Sequence, residues 1–151
     1  MSAVAGSPSG APRGVLPPDI VVLTPNVFTE PFWNATAEHR LMLPRCTACA
    51  TYRMPPSPFC FACRAQGVEW VEHDGRGTLY SYTVVRHAVI PEVAAALPVV
   101  AGVVELPNTG GIRLVANIVD CEPEAVTIGA AVELVWYDVR EGTTIPCFRL
   151  A

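Results

Sequence analysis

The chain has 151 residues, of which 51% are hydrophobic and only 16% charged, with a formal net charge of -4. That acidic balance argues against non-specific nucleic-acid binding by charge. All ten cationic side chains are Arg, so neither a Schiff-base lysine nor a P-loop lysine exists here.

The length allows one hydrophobic core plus a small metal-stapled module. No run approaches the ~18 consecutive apolar residues of a membrane span. The first residues lack the charged-then-apolar layout of a signal peptide. With unpaired cysteines, this predicts a cytoplasmic protein.

Four segments follow from the pattern. Residues 1–18, MSAVAGSPSGAPRGVLPP, are small and rich in Pro, Gly and Ser, and predict a flexible tail. Residues 19–42 predict an N-terminal helical segment. After the apolar run Asp19–Leu23, Thr29 is placed as N-cap and Pro31 in the first turn, and the stripe Phe32, Trp33, Ala35, Ala37 and Leu41 continues toward Pro44.

Residues 43–72 carry the strongest signal in the chain. Cys46-Thr-Ala-Cys49 is followed, ten residues later, by Cys60-Phe-Ala-Cys63. Two C-x-x-C pairs can close a tetrahedral shell around one zinc ion, each pair gripping from one turn. Arg45-Cys46 and Tyr52-Arg53-Met54 are the expected arms of the first hairpin. Disulfides or a redox C-x-x-C are the alternatives, but a redox pair prefers a helix start in a βαβ setting, and this segment is rich in proline and turns. Four thiolates leave no open position for water or substrate, so the zinc is expected to be structural.

Residues 73–151 predict strands with turn signals about every ten residues: Gly77–His87, Val99–Leu106, Ile112–Val119, Ala131–Tyr137 and Ile145–Leu150. A helical turn is expected at Pro91–Leu97, and another at Glu122–Val126, between the third and fourth strands. The latter is where an OB-fold carries its helix. The fold class is therefore mainly β: an N-terminal helix and zinc ribbon, then a five-stranded OB-fold barrel.

The aromatic helix PFWNATAEHRLMLPRC, the ribbon RCTACATYRMPPSPFCFAC, the strand opening WVEHDGRGTLYSYTVV and the later NIVDCEPEAVTIGAAVELVW together resemble the DUF35 family over about residues 28–150. That resemblance implies a rubredoxin-like zinc ribbon joined to an acyl-CoA-associated OB-fold. It implies a non-catalytic accessory subunit that stabilises a thiolase-fold aldolase or a thiolase, sometimes in steroid side-chain degradation, and that can contact coenzyme A. It carries over Cys46, Cys49, Cys60 and Cys63 as metal ligands. Family knuckles commonly place Gly after the second Cys of each pair. Here Ala50 and Arg64 stand there, and are expected to take the left-handed conformation at some cost.

No catalytic constellation is selected by spacing. Cys121 and Cys147 read as small buried hydrophobes, and His73-Asp74 reads as a solvated loop. Arg45, Arg53 and Arg64, interleaved with Tyr52 and Phe61, are the candidate contacts for coenzyme A phosphates; Arg86-His87 is a second candidate. The alternative functions are an acyl-CoA hydratase component, a stand-alone acyl-CoA-binding OB protein and, third, a nucleic-acid-binding ribbon with an OB-fold.

Overall fold

A computed structural model describes residues 10–151. Its elements are α1 (Glu30–Ala37), β1 (Leu41–Cys46), β2 (Val68–His73), β3 (Arg76–Val85), β4 (Val99–Glu105), β5 (Arg113–Ile118), β6 (Ala131–Arg140) and β7 (Thr143–Leu150), with three short 3-10 turns. Strands β3 to β7 close a barrel in the order β3-β4-β5-β7-β6, and β1 and β2 form a separate antiparallel pair. The expected fold class is the one observed.

The barrel closes because two strands change partners. β3 pairs with β6 through Arg76–Thr78, then runs against β4, with a register shift between Leu79 and Ser81. Such a bulge bends a strand around a barrel corner. A parallel pairing, Ile118 with Phe148, joins β5 to β7. Between β5 and β6 the helical turn is a single 3-10 turn, Pro123–Ala125. Gly102 faces inward: a Cβ there would stand 2.7 Å from Ile118 Cδ1 and 3.0 Å from Leu79 Cδ1, so the barrel interior has room only for hydrogen.

One core runs through barrel, helix and ribbon base. Phe32 of α1 and Leu41 and Leu43 of β1 are buried in the same cluster as Leu79, Val104, Ile118, Val132 and Phe148. Phe32 and Trp33 meet edge to face at 5.0 Å. Thr36 Oγ1 donates to Thr144 O of β7 at 2.9 Å, tying the helix to the barrel.

The helix is shorter than its apolar stripe. It stops at Ala37 because His39 takes a left-handed φ of 57° and accommodates a reversal into β1, so Leu41 and Leu43 point inward from a strand. Thr29 makes no side-chain cap bond. Asn26 does that work instead, its Oδ1 accepting the amides of Phe28 and Thr29.

The flexible-tail reading needs a correction. Residues 1–9 of that segment lie outside the described residues, but residues 10–18 are laid along the barrel. Asn117 Nδ2 donates to Gly14 O, the Tyr137 hydroxyl to Leu16 O, and Arg140 Nη2 to Pro18 O and Val21 O. Arg13 is held through its amide by Asp120 Oδ1 and through its guanidinium by Glu122. Proline and glycine here do not signal disorder; they suit an extended strap recognised through its carbonyls.

Replacing Arg140 with Met should therefore loosen the strap, costing about 2 kcal/mol for hydrogen bonds from a charged donor. Limited proteolysis between residues 10 and 22 should accelerate while barrel amides keep their exchange protection. Unchanged cleavage would show that Arg140 does not hold the strap.

Candidate metal centre

The ribbon is built from two copies of one knuckle. The amide of Cys46 donates to Thr51 O at 2.9 Å and that of Cys60 to Ala65 O at 2.8 Å. Ala50 N returns to Cys46 O, and Arg64 N to Cys60 O. Each turn closes on a left-handed residue, with φ of 60° at Ala50 and 68° at Arg64, as expected for the positions where glycine is absent. The geometry is kept, and the side chain carries a cost of roughly 1–2 kcal/mol at each place.

These two turns bring four sulfurs together. Sγ of Cys46, Cys49, Cys60 and Cys63 all lie within 4.8 Å of one another, with Cys46–Cys63 and Cys49–Cys60 each at 3.6 Å. A tetrahedral zinc with bonds of about 2.3 Å sets its sulfurs roughly 3.8 Å apart. All six cysteines of the chain are free thiols. The donor set and its spacing fit one tetrahedral, thiolate-loving ion.

The electrostatics agree. The amides of Cys49 and Ala48 lower the Cys46 thiol below its usual range. The Thr51 hydroxyl, 3.2 Å from Cys49 Sγ, and the Thr51 amide take Cys49 down to about 6. Cys63 goes the other way, to about 12: the Ala65 amide favours its thiolate, but the neighbouring sulfurs and burial outweigh it. Without a cation, four sulfurs this close cannot all ionise; a divalent ion removes that obstacle and releases the remaining protons.

The module has little else to hold it. Between residues 47 and 67 only Arg53 and Cys60 are buried. Beyond the β1–β2 pair its sheet structure is one bridge, Arg45 to Tyr52, which is the expected first hairpin.

The three candidate arginines are not brought together as an anion site. Arg53 is 1% exposed, and its guanidinium donates to the carbonyls of Ser57, Gln66 and Gly67. It faces inward and is withdrawn as a phosphate contact. Arg45 pairs with Glu69 at 2.8 Å and lies 5.8 Å over the Tyr52 ring. Arg64 is exposed and makes no ion pair among the described residues. Phe61, 77% exposed, and Tyr52 instead line a cleft of about 750 Å³ between the knuckles and the β4–β5 turn, with Met54, Gly110, Gly111 and Arg113. Arg113 lies 3.6 Å over the Tyr80 ring, a contact set by strand register that no local sequence pattern marks.

The remaining candidates are engaged structurally. Arg86 is paired with Glu124 at 2.7 Å. His73 Nδ1 accepts from the Gly75 amide, so Nε2 carries the proton and donates to Pro107 O, joining the ribbon end to the β4–β5 turn. The expectation of a solvated His73 loop is corrected by that contact. Cys147 is buried on β7, and burial pushes its thiol to about 12. Burial also raises Cys121, which is only partly covered.

A cysteine-caged ribbon packed on a closed five-stranded barrel defines a zinc-ribbon and OB-fold protein. Residues 33–69 match the family described as the ChsH2 rubredoxin-like zinc ribbon domain, and residues 70–137 the ChsH2 C-terminal OB-fold domain. A DUF35 domain-containing scaffold protein of Methanothermobacter thermautotrophicus is 35% identical over 98 residues, covering 64% of this chain and 71% of that protein. The chain belongs to the DUF35 family. A solved structure described as the Ltp2-ChsH2(DUF35) aldolase superposes with a TM-score of 0.77 at 37% identity, over 85% of this chain and 98% of that one. A probable enoyl-CoA hydratase alpha subunit of Thermomonospora curvata is 41% identical over 121 residues, which are 80% of this chain; the chain spans only 37% of that relative.

Glycine at position 50 should relieve the left-handed strain, partly offset by greater freedom of the unfolded chain, for a net gain of about 0.5–1 kcal/mol. Thermal unfolding of Ala50→Gly in the presence of zinc should shift upward by a few degrees. A downward shift would mean that the knuckle does not hold position 50 in that conformation.

Proposed function

We propose that this chain is a zinc-bearing accessory subunit that docks on a thiolase-fold aldolase or a thiolase and helps form its acyl-CoA site, without turning over substrate alone. The observation that carries this reading is the fit over 98% of the DUF35 chain in a solved aldolase. Cys46, Cys49, Cys60 and Cys63 hold the zinc, which fixes the two knuckles and supplies no open coordination position. The free thiols suit the reducing cytoplasm; among the described residues no helix is long and apolar enough to cross a membrane.

The surface supports a partner. Phe59 and Phe61 stand out from the second knuckle at 55% and 77% exposure, and Val115 from the barrel at 80%. Aromatic side chains held out by a rigid turn suit the core of a protein interface. Where the acyl-CoA meets this chain, Arg64, exposed and without an ion pair among the described residues, is the phosphate contact.

A second reading, a component of an acyl-CoA hydratase, is favoured by the name of the Thermomonospora curvata relative, most of whose length lies beyond the match. Hydration chemistry would then belong to sequence or subunits outside this chain.

Reconstitution separates these readings. Mixed with a thiolase-fold aldolase partner, the protein should form a stable complex whose retro-aldol activity on an acyl-CoA ester needs both chains, while the purified chain turns over nothing. Hydration or hydrolysis of enoyl- or acyl-CoA by the isolated chain would overturn the accessory role.

A further inference from the structure

Among the described residues Arg53 is the one buried charged side chain, and it has no carboxylate partner: none of the described ion pairs includes it. Its guanidinium reaches three carbonyls, Ser57 at 3.2 Å, Gln66 at 3.2 Å and Gly67 at 2.6 Å, and its Nε is buried without any partner. Ser57 leads into the second knuckle, and Gln66 and Gly67 lead out of it. Arg53 itself follows the first knuckle, and its amide donates to Pro44 O at the entry to that knuckle. One side chain thus spans both flanks of the second metal loop from the base of the first. Gly67 O is the shared point, because it also accepts the amide of Thr47, between Cys46 and Cys49. A Cβ at Gly67 would collide with the Thr47 side chain, so the two loops are in close contact there.

A buried guanidinium facing only neutral carbonyls is unfavourable unless an anion lies nearby in the same low-dielectric region. Within residues 47–67 no acidic side chain exists, and Glu69 just beyond is paired with Arg45 at 2.8 Å. The ribbon's own anion is the sulfur cluster: four thiolates around a divalent ion leave a net charge of about −2. We infer that Arg53 is a positioning residue that couples metal loading to closure of the ribbon, clamping the second knuckle onto the first and offsetting the excess negative charge of the tetrathiolate. The inference rests on the zinc-binding reading above and adds to it the group that makes the site close. A lysine at 53 would keep the charge and lose the fork that reaches Ser57 and Gly67 together.

Zinc(II) affinity is measured by chelator competition on full-length wild type, Arg53→Met and Arg53→Lys, with exchange of the Thr47 amide as a second readout. Arg53→Met should bind zinc about 10–100-fold more weakly, as for loss of a group that supports metal ligands. Arg53→Lys should recover a substantial part of that loss, yet leave the Thr47 amide less protected than in wild type. Zinc removal from wild type should deprotect Thr47 before any barrel amide, a comparison that stands even if a variant fails to fold. Arg53→Met binding within twofold of wild type, Arg53→Lys no tighter than Arg53→Met, or Thr47 protection indifferent to zinc would each overturn the coupling. A wild-type chain that takes up no zinc would instead sink the metal reading itself.

Discussion

Four sulfurs within 4.8 Å of one another are the constraint on which the ribbon, residues 43–72, depends. The barrel has an interior of its own, sealed by Leu79, Val104, Ile118 and Phe148. The ribbon has none: a two-stranded pair with a long irregular excursion is marginal in water without a further staple. Its base borrows the barrel's core through Leu41 and Leu43, and its tip depends on the cysteine cluster. Energetically the two ends of the ribbon are held by different forces, burial at one and metal coordination at the other.

That division gives the proposed accessory role its physical basis. A metal-fixed tip presents Phe59, Phe61 and Arg64 on rigid turns, so a partner covering them, as proposed, would cost little conformational entropy. His73 ties the ribbon's exit to the β4–β5 turn of the barrel through Pro107 O. The superposition on the DUF35 chain of a solved aldolase is a likeness between two such platforms.

Much of this was legible in the residues. Spacing alone named the four cysteines, because a tetrahedral sulfur shell needs two paired grips. Alternation and turn residues placed all five barrel strands within a few positions, and the missing knuckle glycines pointed to left-handed Ala50 and Arg64. What escaped notice was carried by long-range contacts that leave no local pattern. Arg53 looks like its neighbours Arg45 and Arg64 until carbonyls 4, 13 and 14 residues away are seen to surround it. The strap of residues 10–18 is held largely by its main-chain groups to side chains more than 100 residues distant, so apart from Arg13 its sequence carries little sign of the docking. The helix overran its true end because an apolar stripe at helical spacing and the inward face of β1 share Leu41, and only the left-handed turn at His39 separates them.

X-ray absorption at the zinc edge of protein purified without chelators tests the central constraint most directly. The account predicts one zinc per chain with a first shell of four sulfurs at about 2.3 Å and no oxygen or nitrogen ligand. A shell containing water or imidazole, or a chain that folds its ribbon with no metal at all, would contradict it.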